Sequence, residues 1–172
     1  MNKKEKIFIS VLDGHKGIIY KVANTYCHDK ADQDDLIQEI IVQLWLTIGN
    51  FNNSYKWSTW VYRVALNTSI SYYRKNKTRK ENTLSFSPII EVPNSNEKYE
   101  EDDDFLRLRK YVRELKEIDR ALILLHLEGV NSREIADIID TTQTNVTTKI
   151  SRIKKKLKLK FEHHKSKKNG QH

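Results

Sequence analysis

The chain has 172 residues and a formal net charge of +8, and its length suits one ordinary domain or two small ones. No apolar run approaches the length of a membrane span, and the first residues lack the core of a signal peptide. We therefore expect a cytoplasmic protein without membrane insertion. Cys27 is the single cysteine, which excludes a disulfide framework and a cysteine-based metal site.

Charge is distributed unevenly along the chain. Residues 1–80 carry 13 Lys and Arg against 7 Asp and Glu, residues 81–104 carry 1 against 8, and residues 105–172 carry 17 against 8. Basic blocks attract polyanions because binding releases counterions. Two basic blocks around an acidic connector are compatible with a nucleic-acid-binding protein, although on charge alone an ordinary basic surface explains them equally well.

Three helices are predicted in the first basic block. Apolar residues over 5–28 have roughly helical spacing, and Gly14 and Gly17 are expected to bend or interrupt that helix. Asp32 is the predicted N-cap of the second helix, which ends before Gly49. The apolar stripe of that second helix consists of Ile37, Ile40, Ile41, Leu44, Trp45 and Ile48.

The third helix is predicted to start near Ser58 and to end in a basic stretch. Residues 81–104 contain both prolines and a run of acidic side chains, and they are predicted to be a flexible acidic linker. A second helical block covers residues 105–161, and residues 162–172 are expected to be a disordered basic tail. The predicted fold class is therefore all-α, with a domain of three or four helices over residues 5–80 and a second small helical domain after the linker.

Residues 131–158 have the pattern of a helix-turn-helix. Asn131 is a predicted N-cap with Glu134 at the capping-box position, Asp140 begins the turn, and Thr142 caps a basic second helix. The side of that helix opposite its apolar stripe suits base edges and phosphates in a major groove. It carries Gln143, Thr144, Thr147, Thr148, Ser151, Arg152 and Lys155. An ordinary amphipathic helix is the alternative for the basic helix alone, and the whole capped pattern favours DNA binding.

Aromatic and basic residues alternate around the start of the third helix. Trp57 and Trp60 lie near four cations, namely Lys56, Arg63, Arg74 and Lys75. Unstacked bases of a single strand can lie on aromatic rings while cations follow its backbone. Trp60 is expected to belong to the core, so the preceding loop is better placed to hold an extruded base. That loop consists of Asn52, Asn53, Ser54, Tyr55 and Lys56.

The outer face of the second helix mixes acidic, amide and apolar side chains. Its residues are Asp35, Gln38, Glu39, Val42, Gln43 and Leu46. A solvated face would carry more lysine and fewer apolar residues, so this face predicts a protein partner. A metal site built from Asp34, Asp35 and Glu39 lacks a histidine or a further acid, and we expect neither a metal nor another cofactor.

These segments together resemble the extracytoplasmic-function (ECF) sigma factors of bacterial RNA polymerase, in particular the variant typical of Bacteroidetes. The resemblance covers about residues 5–160. One segment of this chain reads DQDDLIQEIIVQLWLTIGNFN, and it is similar to the helix that docks on the polymerase clamp helices. The next is similar to the region 2 segment that melts and reads the −10 promoter element, WSTWVYRVALNTSISYYRKNK. The last is similar to the region 4 domain that reads the −35 element, LKEIDRALILLHLEGVNSREIADIIDTTQTNVTTKISRIKKKLK.

The resemblance implies an alternative sigma factor, not an enzyme, whose partners are core RNA polymerase, promoter DNA and an anti-sigma factor. It implies that the polymerase contacts are Asp35, Gln38, Glu39 and Gln43. It places the loop 52–56 near the −10 strand together with Arg63 and Asn67. It places at the −35 duplex Thr147, Thr148, Lys149, Ser151 and Arg152. The chain departs from the usual family pattern at Leu66, at Ser71 and at Thr144-Asn145, which affects the promoter sequence rather than the role.

Two other functions are alternatives. A stand-alone DNA-binding regulator would use only the helix-turn-helix, and it leaves the aromatic loop and the outer face of the second helix unexplained. A metal-dependent nucleic-acid enzyme would use Asp34, Asp35 and Glu39, which form an incomplete ligand set. A metal-binding titration separates this second alternative from a sigma factor.

Overall fold

The computed structural model describes residues 2–82 and 103–169, so most of the predicted linker lies outside the described residues. The described residues form seven α-helices and a short 3-10 turn, Ile48–Asn50, and the predicted all-α class with two small helical domains is confirmed. The helices are α1 (Lys3–Tyr26), α2 (Lys30–Thr47), α3 (Trp57–Asn82), α4 (Asp103–Arg113), α5 (Glu117–Leu127), α6 (Ser132–Ile139) and α7 (Gln143–Asn169).

Helix α1 runs without a break through Gly14 and Gly17, so the predicted interruption is wrong. A capping box fixes its start, because Asn2 Oδ1 accepts from the Glu5 amide at 2.9 Å and Glu5 Oε2 accepts from the Asn2 amide at 2.8 Å. A glycine costs a helix interior only about 1 kcal/mol. Burial of one side of α1 offsets that cost, through Val11, Ile19, Val22, Ala23 and Tyr26.

Helix α2 begins one turn earlier than predicted. Its N-cap is Asp29, whose carboxylate accepts from the amides of Ala31 and Asp32, so the assignment of Asp32 as the cap is wrong. Asp32 instead lies in the first turn, where the helix dipole favours an anion. The fully buried positions of α2 are Leu36, Ile40 and Leu44, and the half-buried ones from the predicted stripe are Ile37, Ile41 and Trp45.

The helix-turn-helix forms with the predicted caps, but Glu134 does not complete the predicted capping box, because its carboxylate accepts from Thr59. Asn131 Oδ1 accepts from the Glu134 amide at 2.9 Å and caps α6. Asp140 ends α6 with a φ of 59°, a left-handed conformation that aspartate tolerates better than most residues. Thr142 Oγ1 accepts from the Asn145 amide at 3.2 Å and caps α7. The predicted apolar stripe of α7 is buried, namely Val146, Ile150, Ile153 and Leu157.

Helix α7 continues to Asn169, whereas the sequence predicted a disordered tail over residues 162–172. The prediction is corrected for residues 162–169. Contacts with α4 support this long helix, because the Phe161 ring packs edge-on against Tyr111 with centroids 5.1 Å apart, and Lys160 forms an ion pair with Glu114.

The two groups of helices pack against each other. Helices α1, α2 and α3 form the N-terminal domain, and α4 to α7 form the C-terminal domain. Helix α3 contacts both α5 and α6, and α1 contacts α5, so the buried side chains of both domains belong to one continuous cluster. Among the helices of the described ranges, none is both long and apolar enough to cross a membrane.

Candidate nucleic-acid and protein interfaces

A cleft of about 220 Å³ lies where the loop before α3 meets the first turns of that helix. Its lining combines aromatic rings, amides and a guanidinium, which are the groups that can hold an unstacked base beside its phosphate. The lining residues are Asn50, Phe51, Asn52, Tyr55, Thr59, Trp60 and Arg63. The structure thus brings Asn52, Tyr55 and Arg63 together, as the sequence predicted for a strand-binding site. Three lining residues were not predicted as site residues, because none carries a charge or lies within the predicted loop 52–56: Asn50, Phe51 and Thr59.

The tryptophans beside this cleft belong largely to the packing of the domain. Trp57 stacks on Phe51 with ring centroids 3.5 Å apart, and Trp60 meets Trp57 edge-on at 5.6 Å. Both tryptophans are half-buried and pack against the core, as expected for Trp60. Tyr55 is exposed, and its ring is the one that remains accessible in the loop. We therefore expect a base to stack on Tyr55 rather than on Trp57.

The remaining predicted strand contacts follow α3 away from the cleft. Positions 63, 67 and 74 lie on one side of the helix, because spacings of four and seven residues match the helical repeat. Arg63 and Arg74 are about 16 Å apart along the axis at a rise of about 1.5 Å per residue. Asn67, Arg74 and Lys75 are exposed, and Arg63 is half-buried. We name the loop 52–56 with these four α3 residues the strand surface.

The side of α7 opposite its apolar stripe is open to solvent. Lys149 is half-buried and the other residues that the sequence placed there are exposed, namely Gln143, Thr144, Thr147, Thr148, Ser151, Arg152 and Lys155. Gln143 Nε2 donates to Ser132 Oγ at 3.0 Å, which ties the start of α7 to the start of α6. We name this set the recognition face. Its hydroxyls, amide and cations can contact base edges and phosphates.

The outer side of α2 forms a third surface, which we name the α2 face. Asp35, Gln38 and Glu39 are exposed, and Gln43 Nε2 donates to Glu39 Oε1 at 3.0 Å. Val42 and Leu46 lie beside them with exposed fractions of 48% and 61%. Large apolar side chains exposed next to carboxylates and amides are typical of a protein-binding surface. In the part of the chain that the structure describes, no group of three or more histidines, cysteines or acids could hold a metal ion.

The arrangement of the helices defines a two-domain helical protein with a helix-turn-helix and a cleft lined by aromatic, amide and guanidinium groups. Comparison with known families agrees: residues 12–79 match the model of sigma-70 region 2, and residues 105–157 match that of sigma-70 region 4. The two matches occur in order and together span most of the chain. The chain belongs to the sigma-70 family and is an ECF sigma factor. It is an alternative sigma factor that directs transcription initiation.

Individual proteins similar to this chain are also sigma factors. The chain is 28% identical over 148 residues to the ECF RNA polymerase sigma factor SigM of Bacillus subtilis, with 81% of this chain and 86% of SigM covered. It is 24% identical to the B. subtilis RNA polymerase sigma factor SigV, with 94% and 96% covered. The structure is also similar to CnrH, solved with the cytosolic domain of CnrY, at a TM-score of 0.67 and 18% identity, with 92% and 90% covered.

A second solved structure has the same fold. It is the sigma factor RpoE of Bartonella quintana, solved in complex with the anti-sigma factor NepR. The TM-score is 0.65 at 16% identity, and the similarity covers 92% of this chain and 96% of that one. At such identities the likeness establishes the helical fold of both domains.

Proposed function

We propose that this chain binds core RNA polymerase through the α2 face and holds both promoter elements at a fixed spacing. The strand surface takes the −10 strand and the recognition face takes the −35 duplex. The observation that carries the proposal is the separation of these roles: three chemically different surfaces lie on α2, on the loop and α3, and on α7. A stand-alone regulator would leave the first two without a role.

Binding to one polymerase makes the two DNA contacts cooperate. Each domain alone need bind DNA only weakly, because the second contact becomes intramolecular once the first has formed. Cations on both surfaces supply affinity that does not depend on sequence, and the base contacts supply selection. The chain performs no reaction itself under this proposal, since sigma factors act as initiation factors and the chemistry belongs to the polymerase.

Several finer assignments belong to the same proposal. We place the protein in the cytoplasm, where its polymerase works, and in the Bacteroidetes-like group that the sequence resembles. We also expect an anti-sigma factor to cover the α2 face or the DNA surfaces. The complexes of CnrH with CnrY and of RpoE with NepR support that partner by analogy.

Run-off transcription tests the proposed function. Core polymerase from a related bacterium would be incubated with a genomic promoter library, with and without this protein. We expect new transcripts that start only in its presence, and their upstream sequences should share two spaced elements. If the protein binds duplex DNA but no new start appears, the polymerase role is wrong and a stand-alone regulator explains the chain better.

Reversing a charge on the α2 face should weaken polymerase binding. Glu39→Lys replaces a carboxylate that accepts from Gln43, and we expect about tenfold lower affinity for core polymerase, a typical effect for a charged contact in an interface. Affinity would be measured by fluorescence anisotropy of the labelled protein. Asp13→Lys is the matched control, because Asp13 is exposed on α1 and the charge change is the same. Equal loss in both variants would point to net charge rather than to the α2 face.

A further inference from the structure

A side-chain hydrogen bond joins the first residues of the two helices in the helix-turn-helix. Gln143, the first residue of α7, donates from Nε2 to Oγ of Ser132, the first residue of α6, at 3.0 Å. Gln143 is exposed and Ser132 is half-buried. The bond therefore holds an exposed amide in one position at the edge of the recognition face, and a residue outside that face provides the acceptor.

The start of α6 gives the Ser132 hydroxyl a fixed position. Asn131 Oδ1 accepts from the Glu134 amide at 2.9 Å, and Ile135 in the same turn is 0% exposed. Because the cap and the packing hold this turn, the acceptor for Gln143 is in place before DNA arrives. A glutamine that is already ordered loses less conformational entropy when it contacts a base, which favours binding.

Other polar side chains in the first two turns of α7 direct their donors to the protein itself. Asn145 Nδ2 donates to Thr141 Oγ1 at 2.8 Å, and Thr147 Oγ1 donates to the backbone oxygen of Thr144 at 3.0 Å. The bond to Ser132 uses one of the two amide protons of Gln143. It leaves the amide oxygen and the second proton available, so this side chain keeps an acceptor and a donor for a base.

An acceptor beside a donor matches the major-groove edge of adenine. Adenine presents its N6 amino donor next to its N7 acceptor, and one glutamine amide can pair with both. Guanine presents two acceptors at the same positions, so the amide oxygen would face the guanine O6 atom. A free glutamine could turn its amide over to avoid this mismatch. The bond to Ser132 opposes that rotation, and it therefore increases the preference for adenine.

A cleft beside this bond places Ser132 on the surface that a duplex would touch. The cleft has a volume of about 530 Å³, and its lining includes Asn131 and Ser132 of the turn into α6 and Thr147, Ser151 and Lys154 of α7. Hydroxyls and an ammonium group are typical contacts for DNA phosphates. The Ser132 hydroxyl can accept from the glutamine amide and donate its own proton to a phosphate oxygen. The hydroxyl is therefore able to remain bonded to the amide while DNA is bound.

We propose that Ser132 is a positioning residue that fixes the Gln143 amide for adenine, so that the −35 element contains an adenine opposite the first turn of α7. The inference rests on the proposed role of the recognition face and adds a specificity-determining residue outside it. Ser132 contacts no base and acts through Gln143. Selection arises because a different base leaves the amide oxygen or its proton without a partner, which is costly once water is excluded.

Base preferences of the full-length chain test the inference without polymerase, since the recognition face is exposed in the free chain. The protein would select from a pool of randomised duplexes, and anisotropy would then compare the four bases at the position whose preference Gln143→Ala abolishes. We expect wild type to prefer adenine there by about tenfold and Ser132→Ala to lower that preference to about twofold. Ser132→Thr keeps a hydroxyl and should retain the preference. Ser10→Ala, at an exposed serine of α1, is the control.

The double variant separates positioning from a direct phosphate contact. Once Gln143→Ala is present, adding Ser132→Ala should cause no further loss of base preference, because the two residues act as one unit. Equal weakening of all four duplexes by Ser132→Ala alone would reduce Ser132 to a phosphate contact and overturn the inference. So would a wild-type chain that selects no sequence, or a base other than adenine at the Gln143 position. Failure of run-off transcription would instead remove the polymerase role and leave the measured base preference unaffected.

Discussion

Leu36→Ala is expected to lower the free energy of unfolding by about 2–5 kcal/mol, as measured by urea denaturation followed by circular dichroism. Leu36 is 0% exposed on the inner side of α2 and belongs to the core shared with α1 and α3. Truncation removes buried methyl groups and leaves a cavity, because neighbouring helices relax only in part. The loss would be large for a chain of this length.

Leu46→Ala on the same helix is the matched control. Leu46 is 61% exposed, so its truncation should change the free energy of unfolding by less than about 0.5 kcal/mol. We expect it instead to weaken binding to core polymerase, since it removes an apolar contact from the α2 face. Comparable destabilisation by both variants would mean that Leu46 is not the partner contact that its exposure indicates.

Arg152→Ala is expected to reduce binding to a duplex carrying the −35 element by about 1–3 kcal/mol, the range for one good base contact. Arg152 is exposed on the recognition face within the third turn of α7, where a side chain of this length can reach the groove. The affinity would be measured by anisotropy on the −35 sequence found by run-off transcription, and transcription from that promoter should fall in parallel.

The salt dependence separates two roles for Arg152. Loss of a base contact should lower the preference for the −35 sequence over an unrelated duplex, whereas loss of a phosphate contact should weaken both equally and reduce the salt slope by about one. Lys110→Ala is the charge-matched control, because Lys110 is exposed on α4. If Lys110→Ala weakens duplex binding as much as Arg152→Ala does, Arg152 makes no specific DNA contact from the recognition face.

Helix boundaries and buried faces were predicted correctly where several local sequence signals agree. The caps at Asn131 and Thr142 and the apolar stripe of α7 were read correctly, because capping and helical periodicity depend on residues within a few positions of each other. The N-cap of α2 was predicted incorrectly, because Asp29 and Asp32 both fit the capping pattern and the sequence alone does not choose between them. The predicted interruption at Gly14 and Gly17 was wrong for a related reason. The free-energy cost of a glycine inside a helix is small compared with the gain from burying one side of α1.

The sequence by itself determined the helical class, the order of the two domains and the residues of the three candidate surfaces. Only the tertiary structure decided what those surfaces face. Glu134 was predicted to complete a capping box, yet its carboxylate bonds to Thr59, 75 positions away, and Tyr26 bonds to a backbone oxygen 91 positions away. Partners so distant leave no periodic or local signal, because the fold brings them together through the packing of α1 and α3 on α5 and α6.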